Sequence, residues 1–324
     1  MDRRDFLKVF AASAAFSLVK PLGVMAGEKI NRPIRIGFIG TGYRGTYGVI
    51  TSMSRNNNVE LYALADLFRD RIDKVLPHIN NLNKAKGLPA VAEKNIYVGK
   101  NAYKELLKDP SIEVVHVLTP NREHADITVD SLYAGKHVMC EKPMAKTAED
   151  ARRMVAAAKE TGKKLSIGYQ HRQKVSAQYA KEYIETGALG DIYYANCYAV
   201  RRRGTPNWGV FLNEEEQGGG PIIDIATHSL DLTLYLMNNY EPAVVLGKTH
   251  KKLEHPEAGN IWGDNGVSTT SLEEAACAFI RMKNGATIML ETSWALNTDE
   301  PIQEGSCVLC GSKAGISLKN NELR

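Results

Sequence analysis

Past residue 32 the apolar positions fall into two kinds of run. Short, nearly continuous runs come at Ile34-Arg35-Ile36-Gly37-Phe38-Ile39, Val59 to Ala65 and Val114-Val115-His116-Val117-Leu118, with weaker ones at Asn95 to Gly99 and Lys136 to Cys140. Between them, helical patterns occupy Phe68 to Ile79, Ala102 to Lys108, His124 to Ala134 and Ala148 to Thr161. The first kind reads as buried strand, the second as helix with one apolar face. Alternation at these lengths predicts an α/β domain over residues 33–150, with a doubly wound parallel sheet. The polar connection Asn80 to Lys94 reads as a surface insertion.

From Lys164 the pattern changes. A sixth strand (Leu165 to Gly168) and a helix (Lys174 to Thr186) lead into longer β-rich runs at Ile192 to Arg201, Pro242 to Lys252, Ala275 to Met282 and Ala286 to Trp294. Lys283-Asn284-Gly285 between the last two suits a hairpin turn. Residues 151–324 therefore read as an α+β domain with a largely antiparallel, open sheet.

At 324 residues the chain accommodates two domains of ordinary size. With 44% hydrophobic and 24% charged residues the composition is globular, and a formal charge of +4 gives no reason to expect a nucleic-acid partner. No run reaches the roughly 18–20 apolar residues of a membrane span. The start of the chain, Asp2-Arg3-Arg4-Asp5-Phe6-Leu7-Lys8 followed by apolar Val9 to Val19 and then Val24-Met25-Ala26, has the layout of a twin-arginine export signal. Residues 1–26 are therefore expected to be removed, and the mature protein to be periplasmic or otherwise extracytoplasmic. Their loss takes the formal charge from +4 to +2. The five cysteines, Cys140, Cys197, Cys277, Cys307 and Cys310, are an odd number. Cys307 and Cys310 have C-x-x-C spacing in a β-like run, where residues three apart face opposite ways, and no second ligand pair exists. They read as core residues, and no metal site is expected.

The first strand ends in Gly40-Thr41-Gly42-Tyr43-Arg44-Gly45. The first glycine allows a tight turn, the second lets backbone approach a pyrophosphate, and the third lets helix and strand pack closely. The N–H groups of the following helix face the phosphates. Asp66, at the end of the second strand, stands where a carboxylate accepts hydrogen bonds from the adenosine ribose. Together these predict a Rossmann domain holding NAD, because a carboxylate there repels a 2′-phosphate. Arg69 nearby leaves NADP open. Ligands of such sheets bind beyond the carboxyl ends of the strands, which brings in Thr119-Pro120-Asn121 with His124 after the fourth strand and Glu141-Lys142-Pro143 after the fifth. His116 lies within a buried strand and reads as structural, and His250 and His255 fall in a polar loop.

The order of these motifs, followed by Gly218-Gly219-Gly220-Pro221-Ile222-Ile223-Asp224-Ile225-Ala226-Thr227-His228, resembles the glucose-fructose oxidoreductase, inositol dehydrogenase and rhizopine-catabolism (Gfo/Idh/MocA) family over residues 34 to about 315. The resemblance implies a catalytic triad of Lys142, Asp224 and His228. Oxidising an alcohol with nicotinamide needs a base for the hydroxyl proton and a cation or donor for the developing alkoxide. Asp224 and His228, spaced i, i+4, share one face of a helix. His228 is assigned as proton acceptor, Lys142 as electrostatic partner and Asp224 as acceptor for a substrate hydroxyl. Lys142 and His228 can exchange roles. The resemblance also places substrate contacts at Tyr169, His171 and Arg172. Trp208, close to Arg201-Arg202-Arg203, suits the face of a sugar ring. Relatives commonly assemble as dimers or tetramers, and they continue beyond this chain's last residue. A homo-oligomer and a C-terminally incomplete second domain with an open sheet edge are therefore expected.

The leading function is an oxidoreductase acting on a secondary hydroxyl of a sugar, cyclitol or glycoside, with a tightly held, internally recycled NAD. An alternative is an NAD-dependent glycosidase that oxidises a sugar transiently and eliminates its aglycone. A third is a non-catalytic sugar or dinucleotide sensor, which normally lacks the lysine or the histidine; both are present here.

Overall fold

The computed structural model describes residues 32–42 and 45–324. The expected export signal, together with Tyr43 and Arg44 of the glycine turn, lies outside the described residues.

Six strands form a parallel sheet: β1 (Ile34–Ile39), β2 (Val59–Asp66), β3 (Ile96–Val98), β4 (Val114–Val117), β5 (His137–Cys140) and β6 (Leu165–Ile167). Their order is β3-β2-β1-β4-β5-β6, so the winding reverses between β1 and β4. Such a sheet is covered on both faces, which is why its strands read as continuous apolar runs. Phe38, Leu61 and Leu64 pack on one side with Ile72 and Val75 of α2 (Arg69–Lys84). Ile39, Ala63 and Val115 pack on the other with Leu106 of α3 (Ala102–Leu107) and Leu132 of α4 (His124–Tyr133). Before α2, a π-wound turn, Gly45–Ile50, runs into the single turn α1 (Thr51–Ser54). The sheet continues past residue 150 through α5 (Ala148–Thr161) to β6, which pairs with β5.

The connection expected as an insertion from Asn80 is helical as far as Lys84. Polar residues hide its anchor. Asn83 is fully buried, donates from Nδ2 to Leu61 O at 2.8 Å and accepts from Leu61 N at 3.2 Å.

The second sheet has seven strands in the order β13-β12-β11-β7-β10-β9-β8. They are β7 (Ile192–Val200), β8 (Pro242–His250), β9 (Ala275–Met282), β10 (Thr287–Ser293), β11 (Ile302–Gly311), β12 (Gly315–Lys319) and β13 (Glu322–Leu323). All neighbours are antiparallel except β7 with β10. Two helices, α6 (Val175–Glu185) and α8 (Thr227–Met237), cover one face, where Ala180, Leu232 and Leu236 meet Cys197, Ile288 and Leu309. The short helix α7 (Glu214–Gln217) leads toward α8. Edge strand β8 is exposed along its length, with Leu246 72% accessible. Cys307 and Cys310 fall on opposite faces of β11; Cys307 and Cys140 are buried, and all five cysteines are free thiols. Among the described residues no helix is long and apolar enough to cross a membrane.

Candidate active site

The glycine turn is shaped by what surrounds it. Gly40 sits at φ 92°, and a Cβ there would come 2.8 Å from Leu118 O, so a side chain would collide with the end of β4. A Cβ on Gly42 would meet nothing within 4 Å, which leaves its backbone open toward the space beyond the strands. Asp66 braces the turn: Oδ2 accepts from Thr41 N at 2.8 Å and Thr41 Oγ1 at 2.9 Å, and Oδ1 accepts from Phe68 N at 3.0 Å.

A cavity of about 720 Å³ opens beyond these strand ends, at the reversal between β1 and β4. Gly40, Gly42, Gly45 and Asp66 form one wall; Thr119, Pro120, Asn121 and His124 form a second, with Glu141, Lys142 and Pro143 beside them. Trp208, Gln217 and Asp224 close it from the other domain. The residues fit a dinucleotide: the bare glycine face suits a pyrophosphate, and Thr119 Oγ1 is buried with no hydrogen-bond partner in the chain. Arg69 takes no part in the wall. It is held outside by Asp73 and Glu93. Arg71 lines the cavity instead, its guanidinium 4.6 Å from the Phe68 ring centre.

Three residues after β4 work as braces. His124 lies between the two strand-end loops, with Nδ1 2.8 Å from Pro143 O and Nε2 3.0 Å from Thr119 O, and its neutral ring donates to one of them. Burial pushes its pKa down. Asn121 donates to Gln217 O at 3.0 Å, and Arg122 pairs with Glu216 at 2.6 Å, so this loop also grips α7. His116 lies at 0% exposure, and burial pushes its pKa down to about 3, consistent with a structural residue.

The glycine run ahead of Asp224 lets this segment dock tightly: a Cβ on Gly220 would lie 2.6 Å from Glu273 O. The backbone then winds as a π-turn, Ile222–Ala226, before continuing as α8, so the expected regular α-helical spacing of Asp224 and His228 is replaced by a wider turn. Lys142 crosses from the other domain. Its Nζ donates to Asp224 Oδ1 and to Asp224 O, both at 2.8 Å. Trp294 Nε1 donates to Asp224 Oδ2 at 2.9 Å. Burial pushes the Asp224 carboxyl up, but the charge and hydrogen bond of Lys142, the charge of Arg201 and the Trp294 bond together hold it below the usual carboxylate range. His228 is 1% exposed, with the His171 ring 4.9 Å away at 67° and the Tyr169 ring 6.5 Å away, nearly perpendicular. Tyr169 Oη lies 3.1 Å from Thr227 Oγ1.

The expected substrate residues thus divide. Tyr169 borders His228, and Trp208 lines the cavity. Arg172 turns inward to Asp231, with Nε 2.7 Å from Oδ2. The arginine run also splits: Arg201 pairs with Glu304 at 3.2 Å, Arg202 is exposed, and Arg203 donates to Ala258 O. Sequence reasoning missed Trp294 as a partner of Asp224, because a tryptophan closing a strand carries no sign of what its N–H faces. It also missed Arg71 and Trp262; Trp262 packs against Trp208 with ring centres 4.7 Å apart.

A molecule with this nucleotide cavity and this cross-domain lysine is an oxidoreductase that works with NAD. The chain belongs to the GFO/IDH/MocA family: the model for the oxidoreductase family's NAD-binding Rossmann fold matches residues 34–169, and the GFO/IDH/MocA C-terminal domain matches residues 177–317. It is 36% identical over 299 residues to the D-glucoside 3-dehydrogenase of Escherichia coli K12, spanning 91% of this chain and 79% of that one. It is 30% identical to the levoglucosan dehydrogenase of Pseudarthrobacter phenanthrenivorans, over 59% of this chain and 52% of the relative. Among solved structures, the aldose-aldose oxidoreductase of Caulobacter crescentus, complexed with glycerol, superimposes with a TM-score of 0.71 at 26% identity, covering 88% of this chain and 76% of that one.

Proposed function

We propose that this protein oxidises a secondary hydroxyl of a sugar or glycoside to the ketone. The observation that carries this reading is the buried Lys142–Asp224 pair where the dinucleotide cavity meets the second domain. The name of the Escherichia coli relative supports a glucoside as substrate. NAD bound in the cavity supplies the two-electron acceptor. Lys142 uses two of its three N–H donors on Asp224 and keeps one for the substrate oxygen, where it stabilises developing negative charge. The His228 imidazole takes up the hydroxyl proton. With both oxygens engaged, Asp224 is better suited to holding Lys142 in place than to binding a substrate hydroxyl. Trp208 and Tyr169 flank the sugar.

The N-terminal sequence supports export by the twin-arginine route, which carries folded proteins. Free NAD is scarce outside the cytoplasm, so the cofactor is tightly held and recycled between an oxidative and a reductive half-reaction. The name aldose-aldose oxidoreductase for a structural relative is in keeping with such a cycle.

Denaturing the purified protein and measuring released dinucleotide by mass spectrometry and absorbance, then feeding glucosides to the bound pool, tests the whole reading. Near one NAD(H) per chain, reduced by a glucoside and reoxidised by a keto-sugar, is the expected result. A loaded protein whose pool responds to no glycoside overturns it. Aglycone release without net reduction makes the protein a glycosidase instead.

A further inference from the structure

Strands β8 and β9 are antiparallel neighbours, and a hairpin of a few residues would join them. Residues 251–274 lie between them instead, and connections this long in a compact domain usually carry a function or are disordered. This one is held in place. Val267 and Leu272 are buried at 1% and 2% exposure. Buried Asn260 accepts from Thr205 N at 2.9 Å and donates to Thr205 O at 3.2 Å. Asn207 donates to Trp262 O at 2.9 Å and to Gly263 O at 2.8 Å.

This anchoring presents the Trp262 ring against Trp208, which lines the active-site cavity. Its ring stands at 82° to Trp208, so the two planes make a corner. The Arg201 guanidinium lies 5.7 Å from the Trp262 ring centre and is itself held by Glu304. Both aromatic rings stay open to solvent, Trp208 at 40% and Trp262 at 38%. Trp208 lines the cavity, whereas Trp262 does not and instead packs between Trp208 and Arg201. A sugar ring held inside the cavity therefore meets Trp208, and a ring that meets Trp262 lies outside the cavity wall. The C–H face of a pyranose matches the negative face of an aromatic ring, and its hydroxyl edge matches a guanidinium.

We propose that Trp262, presented by residues 251–274 and flanked by Arg201, forms a second sugar subsite that makes disaccharides and longer glycosides better substrates than methyl glycosides. This rests on the sugar-oxidising reading above and extends it from one ring to two.

The test compares glucosyl disaccharides with methyl glucosides on the dinucleotide-loaded protein. In the parent, kcat/KM favours the disaccharide. In Trp262→Ala the ratio of the two kcat/KM values falls about tenfold, mainly through KM for the disaccharide, and Trp262→Phe restores most of it. An unchanged ratio, or a parent protein indifferent to the second ring, overturns the proposal while leaving oxidation of single sugars standing. Equilibrium titration of tryptophan fluorescence, from only three tryptophans, separates the two ideas without turnover. If the disaccharide shifts the emission of the parent and Trp262→Ala weakens that binding, the subsite stands even where no sugar is oxidised. If disaccharide and methyl glucoside bind alike in both proteins, it falls.

Discussion

Two ion pairs join the same two parts of the molecule and do different work. Lys142 follows β5 and reaches Asp224; Arg172 follows β6 and reaches Asp231, on α8. Their surroundings separate them. The Lys142 and Asp224 side chains are 5% and 7% exposed and border the nucleotide cavity. Asp224 has Lys142, the Trp294 N–H and the charge of Arg201 to favour its ionised form, and its pKa is held down despite burial. Asp231 has Arg172 alone, burial outweighs that one cation, and its pKa is pushed up. Arg172 is raised in turn by its hydrogen bonds to Asp231, and its guanidinium lies 4.9 Å from the Tyr235 ring centre. The arginine fork closes on its carboxylate, whereas the lysine retains a donor. One pair clamps a loop to a helix, and the other keeps a cation in working position.

Breaking each pair exposes the difference. Lys142→Met is expected to lower kcat by about 10²–10³-fold, the usual cost of removing one donor from a developing oxyanion. Dinucleotide per chain, measured by mass spectrometry, should stay near the parent's. Because the substitution leaves Asp224 buried with less compensation, kcat is read per loaded chain. Arg172→Met is expected to cost roughly 2–3 kcal/mol of stability in urea unfolding, below the value for a fully buried pair because Arg172 is partly exposed. Its kcat per folded chain should change by less than about tenfold, well short of the Lys142 effect. Equal losses of kcat from the two variants would return Arg172 to the substrate site where the sequence placed it. Trp294→Phe comes next: removing one hydrogen bond to Asp224 should cost about 1 kcal/mol or more and lower kcat about tenfold, as Lys142 loses its alignment. A Trp294→Phe enzyme with parental kcat shows that Lys142 alone positions the carboxylate.

The parallel sheet was legible because strands covered on both faces must be apolar throughout, and because the glycine turn and Asp66 have few other uses at that spacing. The second sheet was legible only through β10. Of β11 only the β-like run around Cys307 to Cys310 was legible, and its full length, with β12 and β13, emerged once it lay beside β7. At the site, Lys142 and Asp224 came from a motif order. That Trp294 holds Asp224, or that Asn207 and Asn260 hold the segment carrying Trp262, rests on contacts between residues 55 to 70 positions apart, which no local spacing encodes. Asn83 shows the same limit within the first domain, where a polar residue in a polar stretch turned out to be buried.

The smallest effect is one of sign. A carboxyl whose folded pKa lies below its ordinary value of 3.8 contributes stability that is complete above 3.8 and lost as the pH falls through the folded value. Asp224 is such a group. Asp231 is the reverse: its folded pKa lies above 3.8, so its ionisation opposes folding as the pH rises from 3.8 through the folded value, and that cost is absent below 3.8. Unfolding free energy measured against pH for the parent, Asp224→Asn and Asp231→Asn isolates each contribution by difference. Asp224→Asn should flatten the loss of stability below pH 3.8, and Asp231→Asn should remove a decline that sets in above it. If both substitutions act on the same side of 3.8, the two aspartates share one environment, and the distinction between a clamp and a working cation rests on Lys142 alone.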